Sequence, residues 1–270
     1  MPRIIITGAS DGIGAEMARQ LSRIHGPQAQ LVLAARNTSK LESIALECRS
    51  AQAQVLVVPT DVGDQAQCRA LIAQAVQAFD GIDVLVNNAG ISAHAMLSDV
   101  STEHLQWYED LMRVNLWGTV WCTHAALPHL KATRGRIVGV SSLAGLVGVP
   151  GRTAYSASKF AMSGFLEALR AELKPTGVSV TTAYPGVVDT RIRYHGLNAQ
   201  GQAAGVSALK EEAAMPVAEC ARLIIDAMHA RQREVVMTAK AKIGRFMKLV
   251  APGVVENMAL AALKDEIKPH

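Results

Sequence analysis

Tyr155 and Lys159 stand four residues apart in the run Tyr155-Ser156-Ala157-Ser158-Lys159, at the start of a segment patterned as a long helix over about 154–174. That spacing puts the phenol and the ammonium on one helical face. A tyrosine with a pKa of about 10 is no base at neutral pH, but a nearby cation favours the phenolate. The pair is a candidate proton-transfer device. Ser141 and Ser142 end the apolar run Arg136-Ile137-Val138-Gly139-Val140, with Ser142 thirteen residues before Tyr155. A hydroxyl placed there can hold a reacting oxygen, although serines at a strand end also serve as turn formers.

The elements that must position these groups read as alternating strands and helices. Strands are predicted at Ile4–Ile6, Leu31–Ala35, Val55–Val58, Ile82–Val86, Arg136–Val140, Val178–Ala183 and 234–238, and helices at 13–24, 64–79, 102–130, 154–174 and 216–230. The long helix 102–130 carries Asn115, and Trp117 and Trp121 on it read as core or subunit contacts. Such alternation predicts an α/β fold, a doubly wound parallel sheet of about seven strands with helices on both faces, whose ligands sit at the carboxyl ends of the strands. The first strand runs directly into Thr7-Gly8-Ala9-Ser10-Asp11-Gly12-Ile13-Gly14 and a helix. In this layout Gly8 permits a tight turn, Gly12 lets backbone approach a pyrophosphate, Gly14 lets helix and strand pack closely, and free amides at the helix start attract an anion. The glycine spacing differs from the usual Gly-x-Gly-x-x-Gly dinucleotide fingerprint.

The second strand ends at Arg36-Asn37 with no acidic residue. An acid at this point suits the ribose 2′-hydroxyl of NAD, whereas an arginine suits a 2′-phosphate, so NADP(H) is expected as the preferred cofactor, with NAD(H) as the alternative. Asp11, inside the glycine loop, counts slightly against a phosphate-seeking pocket. Asp61 follows the third strand, where its carboxylate can bond an adenine amine, and Asn87-Asn88-Ala89-Gly90 follow the fourth.

Composition excludes several classes. The 270 residues are 50% hydrophobic, enough for one large core, and the net charge of +4 comes with no basic run interleaved with aromatics, so nucleic acid is not an expected partner. Cys48, Cys68, Cys122 and Cys220 are scattered, without Cys-x-x-Cys or a His cluster, so neither a disulfide frame nor a metal site is expected. With no apolar run of about 18 residues and no charged-then-apolar leader ahead of Arg3, the chain is expected to be soluble and cytoplasmic.

Taken together, the glycine loop, Asn87-Asn88-Ala89-Gly90, Asn115, Ser142, Tyr155 with Lys159, and Pro185-Gly186 resemble the short-chain dehydrogenase/reductase family in its compact single-domain branch. The resemblance covers about 1–238. It implies a Rossmann fold and reversible hydride transfer between a nicotinamide cofactor and a carbonyl or secondary alcohol. By that resemblance Tyr155 would exchange the proton of the substrate oxygen and Ser142 would hold that oxygen. Lys159 would bind the nicotinamide ribose and depress the tyrosine pKa, and Asn115 would position a water. Gly8, Ser10, Gly12, Ile13, Gly14 and Arg36 would contact the phosphates, and Asp61 and Val62 the adenine. Asn88, Ala89 and Gly90 would lie along the cofactor, with Pro185, Gly186, Val188 and Thr190 near the nicotinamide. It also implies a homodimer or homotetramer built through the helices carrying Asn115 and Tyr155.

Two stretches are read from the residues alone. A substrate loop is expected over about 188–214, and with 143–151 it gives a small, apolar pocket wall (Leu143, Leu146, Val147, Val149, Leu197) without a cation cluster, so a neutral hydrophobic ketone is expected. The extension 239–270 starts as a basic amphipathic helix that Pro252 ends, with Ile243, Phe246, Met247 and Val250 on one stripe and Lys240, Lys242, Arg245 and Lys248 around it. The stripe is expected to pack on the protein, cover the substrate pocket or meet a second subunit, with a membrane surface, and then a lipid or sterol ketone, as the alternative. A catalytically idle NADP-binding regulator on the same fold is the rival from another class.

Overall fold

A computed structural model describes residues 1–205 and 214–267; residue 206–213 of the expected substrate loop and the last residues of the tail, 268–270, lie outside the described residues. Ile4, Ile5 and Ile6 in β1 (Arg3–Thr7) are all buried, and they divide between two cores. Ile4 and Ile6 pack with Met17 and Leu21 of α1 (Gly12–His25), whereas Ile5 packs with Leu71 and Ile72 of α3 (Gln65–Phe79). Successive strand side chains point to opposite faces, so a continuous apolar run requires cover on both. The result is a sheet between two helical layers.

The sheet holds seven strands, all parallel, in the order β3-β2-β1-β4-β5-β6-β7. The others are β2 (Gln30–Ala35), β3 (Gln54–Pro59), β4 (Val84–Asn87), β5 (Arg136–Val140), β6 (Ser179–Tyr184) and β7 (Glu234–Val236). Strand order reverses between β1 and β4, which opens a crevice at their carboxyl ends. The expected doubly wound fold is therefore the observed one. No helix among the described residues is long and apolar enough to cross a membrane.

Three local departures follow from physics that the pattern did not expose. A helix, α2 (Thr38–Ser50), fills the stretch between β2 and β3; Asn37 caps it by accepting the Lys40 amide at 2.9 Å, and Leu41, Ile44, Ala45 and Cys48 bury its inner stripe. The expected helix 102–130 is interrupted. A 3₁₀ turn (Thr102–His104) precedes α4 (Gln106–Met112), a π-helical turn spans Arg113–Trp117 with Asn115 at its centre, and α5 (Gly118–Thr133) follows. The inserted residue of a π-turn swings Asn115 inward, to complete burial. Finally, beyond α7 (Val217–His229), Pro252 opens a second tail helix, α9 (Pro252–Ile267), after α8 (Ala239–Val250), as suits a residue whose missing N–H belongs at a first turn.

The tail also inverts its expected contacts. Ile243, Phe246 and Val250 are each more than 60% exposed and Met247 alone of the stripe is half-buried, so most of the stripe does not pack on the protein. The basic side chains do instead: Arg245 pairs with Glu234, and Lys248 donates to the Leu146 carbonyl at 2.9 Å with its ammonium 4.6 Å from the Phe160 ring centre. Trp117 is 48% exposed and stacks on Trp121 with centroids 5.8 Å apart, so only Trp121 joins the core.

Candidate active site

The crevice beyond β1 and β4 is a cleft of about 750 Å³ running from Arg36 and Asp61, across the glycine loop, to Tyr155 and Ser142. Gly8, Ser10, Gly12, Ile13, Asn88, Ala89, Gly90 and Val62 line its floor, and Pro185, Gly186, Val188 and Thr190 one wall. Gly14 and Asn115 do not line it. Gly14 is a packing residue: a Cβ there would lie 2.4 Å from both the Gly8 carbonyl oxygen and Asn88 Nδ2. Gly8, at φ +65°, would drive a Cβ to 2.8 Å from Ala89 Cα, so the loop that starts α1 closes on the end of β4 only with glycine at both places.

A polar lattice behind the floor fixes those strand ends. Thr7 Oγ1 accepts the amides of Asn88 and Ala89 at 3.0 and 3.1 Å, and Asn88 Nδ2 donates to the carbonyls of Thr7 and Gly8. Asn115 continues the lattice. Its Oδ1 accepts the Ile91 amide at 2.9 Å, and its Nδ2 donates to the Ile91 carbonyl at 3.0 Å and to Ser158 Oγ at 2.9 Å, while Ser158 donates to the Tyr155 carbonyl. The carboxamide thus clamps the β4 loop to α6 (Thr153–Leu173). Both hydrogens of Nδ2 and one acceptor site of Oδ1 are thus taken by protein partners.

Both serines line the cleft, but their hydroxyls differ: Ser141 Oγ is turned to Lys159 O and Ser163 Oγ, whereas the less buried Ser142 Oγ accepts the Ala144 amide at 3.2 Å. Tyr155 is buried to 8% exposure; burial raises its phenol above the ordinary value, opposed by the Ser142 hydroxyl and the Arg152 charge. Burial also pulls Lys159 down to about 8. Its Nζ donates to Val140 O at 2.9 Å and stands 5.9 Å from the Tyr155 ring centre. The expected depression of the tyrosine by this lysine is therefore not seen: desolvation of the phenol dominates, and the ammonium is turned toward the end of β5.

The lysine carries a stability prediction. Unfolded, Lys159 titrates near 10.4, so between pH 8 and about 10 the unfolded chain binds a proton that the folded chain has shed, and stability rises with pH across that window. For a fully buried group this amounts to roughly 3 kcal/mol. Urea unfolding of wild type and Lys159→Met at intervals through that window is expected to show their difference changing by this order; parallel curves would contradict it.

At the far end, Arg36 is exposed on the cleft rim with no ion pair among the described residues. Lys40, from the helix that the pattern left unassigned, reaches the same rim and lies 3.2 Å from Asp11 Oδ2. Burial opposes ionisation of Asp11, but the Gly12 amide, Lys40 and Arg191 hold its carboxyl below the ordinary value. Its charge is thus matched locally, and it does not spoil the rim for a phosphate. Asp61 accepts the Gly63 amide at 2.8 Å and lines the cleft with Val62. Among the described residues no group of His, Cys, Asp and Glu could hold a metal.

The substrate end differs from the expectation of a cation-free wall. Leu143, Val149 and Leu197 are present, but Arg152, one residue past the stretch read as pocket, lines the cleft beside Tyr155, as does His195. The start of α6, set at Thr153, turns the Arg152 position toward the cleft, a phase that periodicity leaves uncertain by a residue or two.

This geometry fits a nicotinamide dinucleotide: left-handed glycines where backbone must approach a pyrophosphate, the start of a 14-residue helix, two cations at one end and a hydroxyl pair at the other. Known proteins agree. Residues 2–200 match the short chain dehydrogenase family model. The mouse dehydrogenase/reductase SDR family member 7B is 32% identical over 98% of this chain and 82% of its own. The Arabidopsis thaliana 11-beta-hydroxysteroid dehydrogenase-like 4A is 38% identical over 83% of this chain and 72% of its own. Among solved structures, a Burkholderia phymatum short chain dehydrogenase/reductase in complex with NAD superposes with a TM-score of 0.79 at 25% identity, over 93% of this chain and 94% of its own. An alcohol dehydrogenase of Thermococcus sibiricus complexed with 5-hydroxy-NADP gives 0.73 at 26% identity, over 86% and 94%. The chain belongs to the short-chain dehydrogenase/reductase family and is an NAD(P)-dependent oxidoreductase.

Proposed function

We propose that this protein is an NADP(H)-preferring reductase of apolar ketones and, in reverse, a dehydrogenase of the matching secondary alcohols. The observation that carries the reading is a single cleft with Arg36 and Lys40 at one end and Ser142, Tyr155 and Lys159 at the other. When bound, the nicotinamide supplies or accepts the hydride. Arg36 and Lys40 would hold the 2′-phosphate, the Gly8–Gly12 loop the pyrophosphate, and Asp61 with Val62 the adenine. Lys159 would hold the nicotinamide ribose, with Pro185, Gly186, Val188 and Thr190 around the ring.

Hydride arrival at a carbonyl carbon builds negative charge on its oxygen, and Tyr155 meets that charge by donating its proton while Ser142 donates a hydrogen bond. A phenol kept in its acid form by burial suits this reductive direction. Lys159, at about 8, remains largely charged at neutral pH and can return the proton toward the phenol. The plant relative named 11-beta-hydroxysteroid dehydrogenase-like supports a steroid ketone among the candidates. Consumption of NADPH against a panel of alkanones, aromatic ketones and steroid ketones tests the reading. Turnover on an apolar ketone is expected; NADPH binding with no turnover across the panel would favour the idle regulator.

A second reading adds an anionic bilayer for the exposed stripe of α8, which lies beside the Leu143–Gly145 turn through the Lys248 contact. Vesicle pelleting of wild type and Phe246→Glu decides it, equal and negligible binding removing the idea.

A further inference from the structure

Arg152 has no place in the chemistry above, yet it lines the cleft at its reacting end. Its backbone is held on three sides. The Arg152 amide donates to Val149 O at 3.0 Å, its carbonyl accepts the Ser156 amide at 2.7 Å, and the Ala95 amide donates to the preceding Gly151 carbonyl at 2.8 Å. The guanidinium therefore springs from a fixed base. It is half-buried, and among the described residues it makes no ion pair and no side-chain hydrogen bond.

Among the described residues no carboxylate of the cleft wall is paired with it. The carboxylates along the cleft wall among the described residues, Asp11 and Asp61, stand at the nucleotide end, engaged with Lys40 and with the Gly12 and Gly63 amides. Among the described residues the titratable groups that feel the charge are Tyr155 and His94; burial, and then Arg152, lowers the pKa of His94 from its ordinary value. The turn is also the N-terminus of the 21-residue α6, which has no side-chain cap and no acid in its first turn. Its first amides and the guanidinium thus put positive potential on the same side of the cleft. The half-buried guanidinium keeps its planar fork of donors open, and such a fork matches a carboxylate.

We propose that Arg152 is a specificity-determining residue that binds a carboxylate carried by the substrate, so that among the apolar ketones and alcohols this site accepts, oxo acids and hydroxy acids are preferred over their neutral counterparts. The apolar wall of Leu143, Val149 and Leu197 takes the hydrocarbon part, and the reacting carbonyl lies at Ser142 and Tyr155. The proposal rests on the reading of that tyrosine as the reacting end.

Two measurements test it. Calorimetric titration with decanoate and decanamide, matched in shape and differing in charge, is done on the full chain with and without NADPH. Wild type is expected to bind decanoate at least tenfold tighter than decanamide, Arg152→Gln to lose that difference, and Arg152→Lys to keep part of it. Equal binding of the two by wild type, or an unchanged preference in Arg152→Gln, overturns the proposal whether or not any ketone turns over. In the second measurement, kcat/KM for a medium-chain oxo acid is expected to fall at least tenfold in Arg152→Gln while its methyl ester changes less than threefold. An equal fall on acid and ester, with a displaced pH–rate profile, would place Arg152 in support of Tyr155 and overturn a role in substrate choice. Failure to bind NADPH would count against the cofactor reading alone, since the decanoate comparison stands without it.

Discussion

Tyr155→Phe is expected to lower kcat on any accepted ketone by roughly a thousandfold while leaving the Kd for NADPH within about threefold. The hydroxyl is the one group in the cleft that combines burial, an acid form stabilised by its surroundings and a serine hydroxyl beside it. Removing it leaves the ring, and with it the packing against Ala93, Leu111 and Ala144. Folding and cofactor affinity should therefore persist, and the loss should fall on the chemical step. Steady-state kinetics beside a fluorescence titration separates the two; a variant retaining a tenth of wild-type turnover would remove Tyr155 from the proton-transfer role.

Arg36→Asp is expected to shift the NADPH-to-NADH ratio of kcat/KM by about a hundredfold toward NADH, through loss of a charge-assisted contact and gain of a repulsive one. Arg36 is exposed at the rim and its side chain supports no neighbour, so the change should leave stability within about 0.5 kcal/mol of wild type. Lys40 moderates the effect. It already shares the rim through Asp11, and Arg36→Asp with Lys40→Ala should move the ratio further than either alone. An unchanged ratio in the double variant would sink the assignment of a 2′-phosphate to this end.

Much of the sheet was legible because parallel strands write themselves as short apolar, largely β-branched runs: the buried Ile4-Ile5-Ile6 and the half-buried edge strand Val55–Val58 needed no context. The residues on the strand ends were legible for the same reason, since a parallel sheet gathers every such end into one crevice. α2 carried a usable signal, Leu41, Ile44, Ala45 and Cys48 at helical spacing behind an Asn37 cap, and with it went Lys40. The π-turn at Asn115 had none: one extra residue leaves the apolar pattern of the flanking helices continuous, so only the packed structure reveals the inward turn. Arg152 was missed through a one-residue boundary. For the tail, amphipathicity located the stripe correctly but said nothing of which face the protein would cover; the glutamate and the carbonyl that take Arg245 and Lys248 lie 11 and 102 residues away in sequence.

Reduction of an apolar ketone by NADPH deuterated at the nicotinamide C4 position tests the central claim most directly. The account predicts an alcohol one mass unit heavier, with the deuterium on the former carbonyl carbon, formed by wild type and not detectably by Tyr155→Phe. Tight NADPH binding that yields no labelled alcohol, from neutral ketones and oxo acids alike, would contradict it.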